Sequence, residues 1–283
     1  MANYKRSWSL FRDFQVATNR THLDLPLDGG TIALFVAFLV ERGFAPSTIR
    51  THLSALAFSH KVLDLYFPTK NFLVEKMLRT VQSERHSTDL RLPITLPILM
   101  DILDQAPLCI QGVYDLLLFK AMCSTAFFAF MRAGEICNSV NTMQAESLFF
   151  DPASYFAIVT FFKYKHKNTS VGWPIRITSK AHLRHCPVRL LSHYMQVRGA
   201  SQGPLFRTEK GLPISRNRFA GQLKTCLRRL PVDHSRFSLH SFRIGAATSA
   251  ILAGKSHEEI RTLGRWSSDA FKRYIRLSGL VAM

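Results

Sequence analysis

Four short segments hold polar residues that sit badly with a merely structural reading, and their types suit proton transfer and charge neutralisation. Met131-Arg132-Ala133-Gly134-Glu135 closes the long apolar run Tyr114–Phe130. An arginine emerging from so apolar a stretch needs an anionic partner. Glu135, three residues on, can hold its guanidinium, and an internal ion pair explains the two residues as well as an anion site does. In Leu239-His240-Ser241-Phe242-Arg243 the i, i+3 spacing puts His240 and Arg243 on one helix face. Histidine titrates near neutrality and arginine does not, which suits proton transfer beside charge neutralisation, although an HxxR is common by chance. Gly264-Arg265-Trp266-Ser267-Ser268 leads to Tyr274, about two helical turns beyond Trp266, so both rings can face one pocket. Core packing is the usual fate of aromatics at that spacing. Lys272, Arg273 and Arg276 around Tyr274 favour instead an exposed phenol facing phosphate. The fourth segment, Lys163–Gly172, holds Lys163, Lys165, His166 and Lys167, and its plainer reading is a solvated charge run.

Charge points to the same class of partner. Thirty-seven Lys and Arg against 19 Asp and Glu give a formal charge of +18. Residues 1–90 carry 11 basic and 8 acidic side chains, residues 91–283 carry 26 and 11. Excess of one sign in one folded region suggests a polyanion partner, nucleic acid ahead of a merely basic solvated surface, although such charge also attracts membranes. No run approaches the ~18 apolar residues of a membrane helix, and no secretory signal opens the chain. The five cysteines are odd in number, widely spaced and never CxxC, which disfavours a disulfide framework and a zinc site. A reducing compartment follows.

The positioning elements are predominantly helical. Aromatic spacing over Ser7–Ala17, an apolar stretch over Thr31–Arg42 and an amphipathic run opened by Pro46 predict three helices, with Ser47 as N-cap of the third. That third helix turns Ile49, Leu53, Leu56 and Ala57 inward. Arg50, Thr51 and Ser54 lie on its other face, with His60 and Lys61 one turn later. Residues 71–82 form a fourth helix with Leu73, Met77, Leu78 and Val81 inward, and Ser83–Pro93 reads as a linker. Further on, a helix opens at Thr95, and Tyr114–Phe130 is a central buried helix. Tyr155–Phe162 and Trp173–Ile177 form a hairpin around a long basic loop. Helices then cover Pro187–Arg198, Asn217–Leu230, Ser241–Ala253, Ser256–Leu263 and Ser268–Ile275. The expected organisation is a helical domain over 1–82, a linker over 83–94 and a second domain over 95–283, mainly α with a small antiparallel sheet.

Taken in chain order, the four segments resemble the tyrosine recombinase (phage integrase) family: Arg, a hairpin Lys, His-x-x-Arg, His or Trp, then Tyr. The resemblance covers nearly the whole chain. The stretch LHSFRIGAATSAILAG…IRTLGRWSSDAFKRYIR is its most specific part and looks like the eukaryotic mobile-element branch of cryptons and DIRS-type elements. The interval from Trp266 to Tyr274 is eight residues, one shorter than in the bacterial and phage members.

The resemblance implies a two-domain DNA clamp, an N-terminal core-binding domain with a catalytic domain, that cuts and rejoins DNA through a 3′-phosphotyrosine. Tyr274 would be the nucleophile, and Arg132 and Arg243 would bind the non-bridging oxygens. His240 would be the general acid/base, and Lys165, or alternatively Lys163, would protonate the leaving 5′-oxygen. Trp266 would support the pocket and Glu135 would orient it. Arg50 and Thr51 would reach base edges, and Lys61, Lys163 and Lys167 the DNA backbone. No metal, cofactor or ATP is implied. The partners are double-stranded DNA and further copies of the chain, two on each site and four in synapsis. The place of work is the nucleus if the chain is eukaryotic, the cytoplasm otherwise. A captured relative that binds DNA without cutting it, and a type IB topoisomerase, are the competing readings.

Overall fold

The computed structural model describes residues 2–20, 25–66, 71–84, 89–164 and 167–276. These divide into two compact units, residues 1–89 and 90–283, each with its own hydrophobic core.

The first unit holds four helices, α1 (Ala2–Ala17), α2 (Gly29–Glu41), α3 (Pro46–Val62) and α4 (Phe72–Glu84). Phe11, Phe14 and Phe35 pack ring on ring with Ile49, Leu53 and Leu56 of α3 in its core. Three local expectations are corrected. The N-cap of α3 is Ala45, because Pro46 with its fixed φ takes the first helical position and Ser47 falls inside the helix. Leu73 is exposed and Val74 fills the core instead. His60 leaves the polar face: it is fully buried, its Nε2 accepting from Leu27 N at 3.0 Å while Nδ1 meets Leu56 O at 2.9 Å. Those two bonds satisfy both ring nitrogens of one neutral tautomer. Arg50, Thr51 and Lys61 stand exposed on α3.

The second unit centres on α6 (Val113–Phe128), a helix buried on most sides that packs against α5 (Leu96–Cys109), α8 (Pro187–Arg198) and α10 (His240–Leu252). A short α7 (Ala133–Ile136) follows it, and α9 (Arg216–Leu227) and α11 (His257–Leu263) complete the helices. The last expected helix, Ser268–Ile275, is instead a 3-10 helix over Asp269–Tyr274, opened by Ser268, whose hydroxyl accepts from Ala270 N.

A three-stranded antiparallel sheet, β1 (Leu148–Phe150), β2 (Phe156–Tyr164) and β3 (Lys167–Thr178), lies in that strand order. β1 is too short to show alternation and was not expected. Ala157, Val159 and Phe161 alternate into the core opposite Ile175 and Ile177. The expected long basic loop is mostly strand, because pairing resumes beyond a bulge with Lys163 opposite Asn168. Lys165 and His166, and the side chain of Lys167, lie outside the described residues.

The end of the expected linker also belongs to this unit. Leu92 N donates to Arg236 O at 2.9 Å, Ile94 N donates to Ser241 O at 3.0 Å, and Ile94 is fully buried. α10 meets this segment at Gly245, where a Cβ would stand 1.7 Å from the Ile94 carbonyl oxygen. Gly245→Ala therefore has to displace backbone, and we expect a loss of ~2–3 kcal/mol, seen as a drop of roughly 5–10 °C in Tm. Gly221→Ala in α9, where an added Cβ meets nothing within 4 Å, should instead raise stability by up to ~1 kcal/mol.

Candidate active site

The site is assembled on the C-terminal ends of two helices. α6 ends at Ala129, and Phe130 turns left-handed at φ 50°. Met131 N then reaches back to Ala126 O at 2.9 Å and Phe130 N to Phe127 O at 3.2 Å. α11 ends the same way at Gly264, with Arg265 at φ 55° and Trp266 N on Arg261 O at 3.0 Å. Each end leaves carbonyls unsatisfied and carries the negative pole of its helix.

Two arginines answer those carbonyls. Arg243, fully buried, donates from Nη1 to Phe130 O and from Nη2 to Gly264 O. Arg265 donates from Nη1 to Ala129 O at 3.1 Å and from Nη2 to Phe130 O at 3.2 Å. Burial first, then the charges of Arg132 and Arg265, pull the Arg243 pKa well below the usual arginine value, while Glu135 and Tyr274 oppose the shift.

Glu135, 1% exposed, is the carboxylate of the cluster. Its Oε2 accepts from the Arg132 backbone N–H at 2.7 Å and from Arg265 Nη2 at 2.8 Å, and its Oε1 accepts from Arg132 Nη1 at 3.1 Å. Arg132 precedes the first turn of α7, so Glu135 at its third position meets both backbone and guanidinium. The ion pair expected from i, i+3 spacing is present, and Arg132 keeps a quarter of its side chain open.

That open side borders a cavity of about 690 Å³ whose wall includes Arg132, Glu135, Ser238, His240 and Tyr274. The His240 ring centroid lies 5.0 Å from that of Tyr274. Trp266 stacks obliquely on Tyr274 at 4.9 Å, and the Arg243 guanidinium sits 4.0 Å over the indole and 5.7 Å from the phenol ring. Thr248 of α10 anchors the 3-10 helix, donating to Tyr274 O at 3.2 Å and accepting from Arg276 N at 3.1 Å.

Arg132, Glu135, His240, Arg243, Trp266 and Tyr274 therefore form one continuous cluster. Their depths differ: Arg132, His240 and Tyr274 face the cavity, whereas Arg243 lies beneath Trp266 and Tyr274. Lys163 is exposed near the end of β2 and lines a neighbouring pocket of about 230 Å³ together with Asn141, which also borders the larger cavity. The sequence reading missed Arg265 as a cluster member, and Arg91 and Arg216 on the cavity wall. The signal for Arg265 was the adjacent Gly264 and Trp266. For the other two, nothing in local spacing separated them from surface arginines.

Among the described residues no group of three or more His, Cys, Asp or Glu is placed to hold a metal ion. Burial pushes the Cys137 thiol up to about 11 and Cys226 up to about 12, and raises Cys123 as well, as fits packed, unreactive thiols. No helix among the described residues is long and apolar enough to cross a membrane.

The chain matches no protein-family model and no curated protein. Its fold is similar to that of solved recombinases and integrases in complex with DNA. XerH site-specific recombinase bound to a palindromic difH substrate gives a TM-score of 0.69 at 13% identity, over 96% of this chain and 75% of that one. The Tn1549 transposon integrase with transposon right-end DNA gives 0.62 at 15%, over 96% and 87%. A lambda integrase dimer on a COC′ core site gives 0.59 at 15%, over 94% and 70%. At such identities the likeness is one of fold, the mainly helical catalytic-domain fold with a small antiparallel sheet that the sequence resemblance implies.

Glu135 is the shared counter-ion of two guanidiniums, so removing its charge strands Arg265, whose side chain is 0% exposed. We expect Glu135→Gln to destabilise the second unit by ~3–5 kcal/mol, lowering its calorimetric Tm by roughly 10 °C.

Proposed function

We propose that this chain is a DNA strand transferase of the tyrosine recombinase type, cutting and rejoining duplex DNA for the integration or excision of a mobile element. The observation that carries this reading is the convergence of Arg132, His240 and Tyr274 on one cavity, with Arg243 directly behind the phenol. Phosphodiester exchange needs a nucleophile, fixed positive charge at the non-bridging oxygens and a proton source for the leaving group. The cluster supplies residue types for each.

In the proposed reaction the Tyr274 oxygen attacks the scissile phosphorus and the bond from phosphorus to the 5′-oxygen breaks. A phenol is a weak nucleophile at neutral pH. His240 takes the phenol proton as the bond to phosphorus forms. Arg132, aimed by Glu135, neutralises charge on the phosphoryl oxygens. Arg243, fully buried beneath Trp266 and Tyr274, adds positive charge from behind. The hairpin lysine, Lys165 or Lys163, gives the 5′-oxygen its proton. The phosphotyrosine keeps the energy of the broken ester, so rejoining by a 5′-hydroxyl needs no ATP. In this reading both compact units engage the duplex as a clamp. Arg50 and Thr51 read base edges, and Lys61, Lys163 and Lys167 meet phosphates. Two copies occupy each site and four assemble in synapsis.

The test uses a nicked, labelled duplex selected for binding from a random-sequence pool and analysed on denaturing gels. Tyr274→Phe should abolish the covalent adduct yet leave DNA affinity within about threefold, since one hydroxyl is lost. An adduct that survives in Tyr274→Phe would place the nucleophile elsewhere. A wild type that binds but never forms an adduct would favour the non-cutting DNA-binding relative. Affinity should also fall by at least about a hundredfold between ~50 and ~200 mM salt through counterion release, measured by fluorescence anisotropy.

A further inference from the structure

Arg265 has no step in the reaction above, yet it occupies the most constrained position in the cluster. It is the first residue past the end of α11, at φ 55°, where helices of this ending usually carry glycine. The glycine stands one residue earlier, for a different reason. A Cβ at Gly264 would lie 1.5 Å from Cζ3 of Trp266, so the indole requires a bare backbone there. The left-handed position is thereby left to a long charged side chain that adopts it rarely.

Three segments hold that side chain in place. Its guanidinium bonds the end of α6 through Ala129 O and Phe130 O, bonds Glu135 Oε2 at 2.8 Å, and lies 3.5 Å over the Phe161 ring of β2. The Glu135 oxygen that Arg265 grips is the one that accepts from the Arg132 backbone, and the other oxygen holds Arg132 Nη1. A carboxylate fixed at one oxygen by a planar, multiply bonded partner cannot rotate freely about its last bond. Arg265 and Arg132 are thus joined through one carboxylate, and Arg265 is not part of the cavity wall.

We propose that Arg265 is a positioning residue, aiming Arg132 at the bound phosphate through Glu135. The adjacent left-handed turn sets Trp266 against Tyr274 in the same stroke. The site of action is the phosphate site of the proposed function, but the aiming of Arg132 can be read without any catalysis.

Two variants separate fork from backbone. Arg265→Lys keeps a positive charge near Glu135 but loses the planar fork that serves three acceptors. Arg265→Gly suits the left-handed backbone and removes the side chain. With the full chain, affinity for inorganic phosphate is measured by calorimetry, and Arg132→Ala sets the level of binding without its guanidinium. We expect at least a fivefold loss of phosphate affinity in both variants, with a cooperative thermal transition retained. Combining Arg265→Lys with Arg132→Ala should add no further loss, a non-additivity that mere loosening of the fold would not produce. On the selected nicked duplex, Arg265→Lys should slow single-turnover adduct formation at least tenfold with the duplex Kd within threefold. Wild-type phosphate affinity in Arg265→Lys, additive losses in the double variant, phosphate binding indifferent to Arg132→Ala, or loss of the thermal transition in both single variants would each overturn the proposal. A wild type that binds phosphate through Arg132 but forms no adduct would overturn the recombinase reading alone, and the phosphate measurements would still decide the role of Arg265.

Discussion

Three guanidiniums, two of them buried, gather where there is a single buried carboxylate, which pairs with two of them. Arg132, Arg243 and Arg265 gather around Glu135, so the second unit keeps an uncompensated positive charge beside its core. Buried charge of one sign is tolerated only where dipoles stand in for counter-ions. Here the stand-ins are the carbonyls of Ala129, Phe130 and Gly264, at the negative poles of α6 and α11. The placement of those two helices, the left-handed turns that end them, and the close packing of Gly264 on Trp266 all serve that arrangement.

Carbonyl dipoles satisfy the buried cations less completely than carboxylates would. The remaining field is felt in the adjoining cavity, whose wall includes Arg132 and the half-buried His240 and Tyr274. A site with an acidic partner for every arginine would be more stable and nearly neutral. Here the positive charge is held in place by the fold itself, with no ligand needed to organise it. The depth of the charges matters too: Arg243 acts through the rings of Trp266 and Tyr274, whereas Arg132 is open at one edge and can touch what binds.

The charge asymmetry of the chain follows the same division. The first unit is close to neutral and presents single basic residues on an exposed face of α3, whereas the second carries most of the excess.

Features that depend on neighbours in sequence were legible from the amino acids. The 3.6-residue period marked the helices, with Pro187–Arg198 recovered to the residue. The apolar run Tyr114–Phe130 marked the central helix, and i, i+3 spacing marked the pairing of Arg132 with Glu135. Three of the four polar segments, read through the family resemblance, hold residues that the fold brings together, whereas the hairpin's Lys163 lines a neighbouring pocket. Tertiary structure decided what depends on residues far apart. Arg265 meets Glu135 across 130 positions, and Arg243 meets Phe130 across 113. His60 is drawn into the core by Leu27, 33 positions away. The strand β1 exists because β2 offers it an edge. A side chain's local pattern states which way it points from its own helix. Whether solvent, a carbonyl or a carboxylate waits there is set by whichever distant segment packs against that face, and burial then determines the energy of the contact.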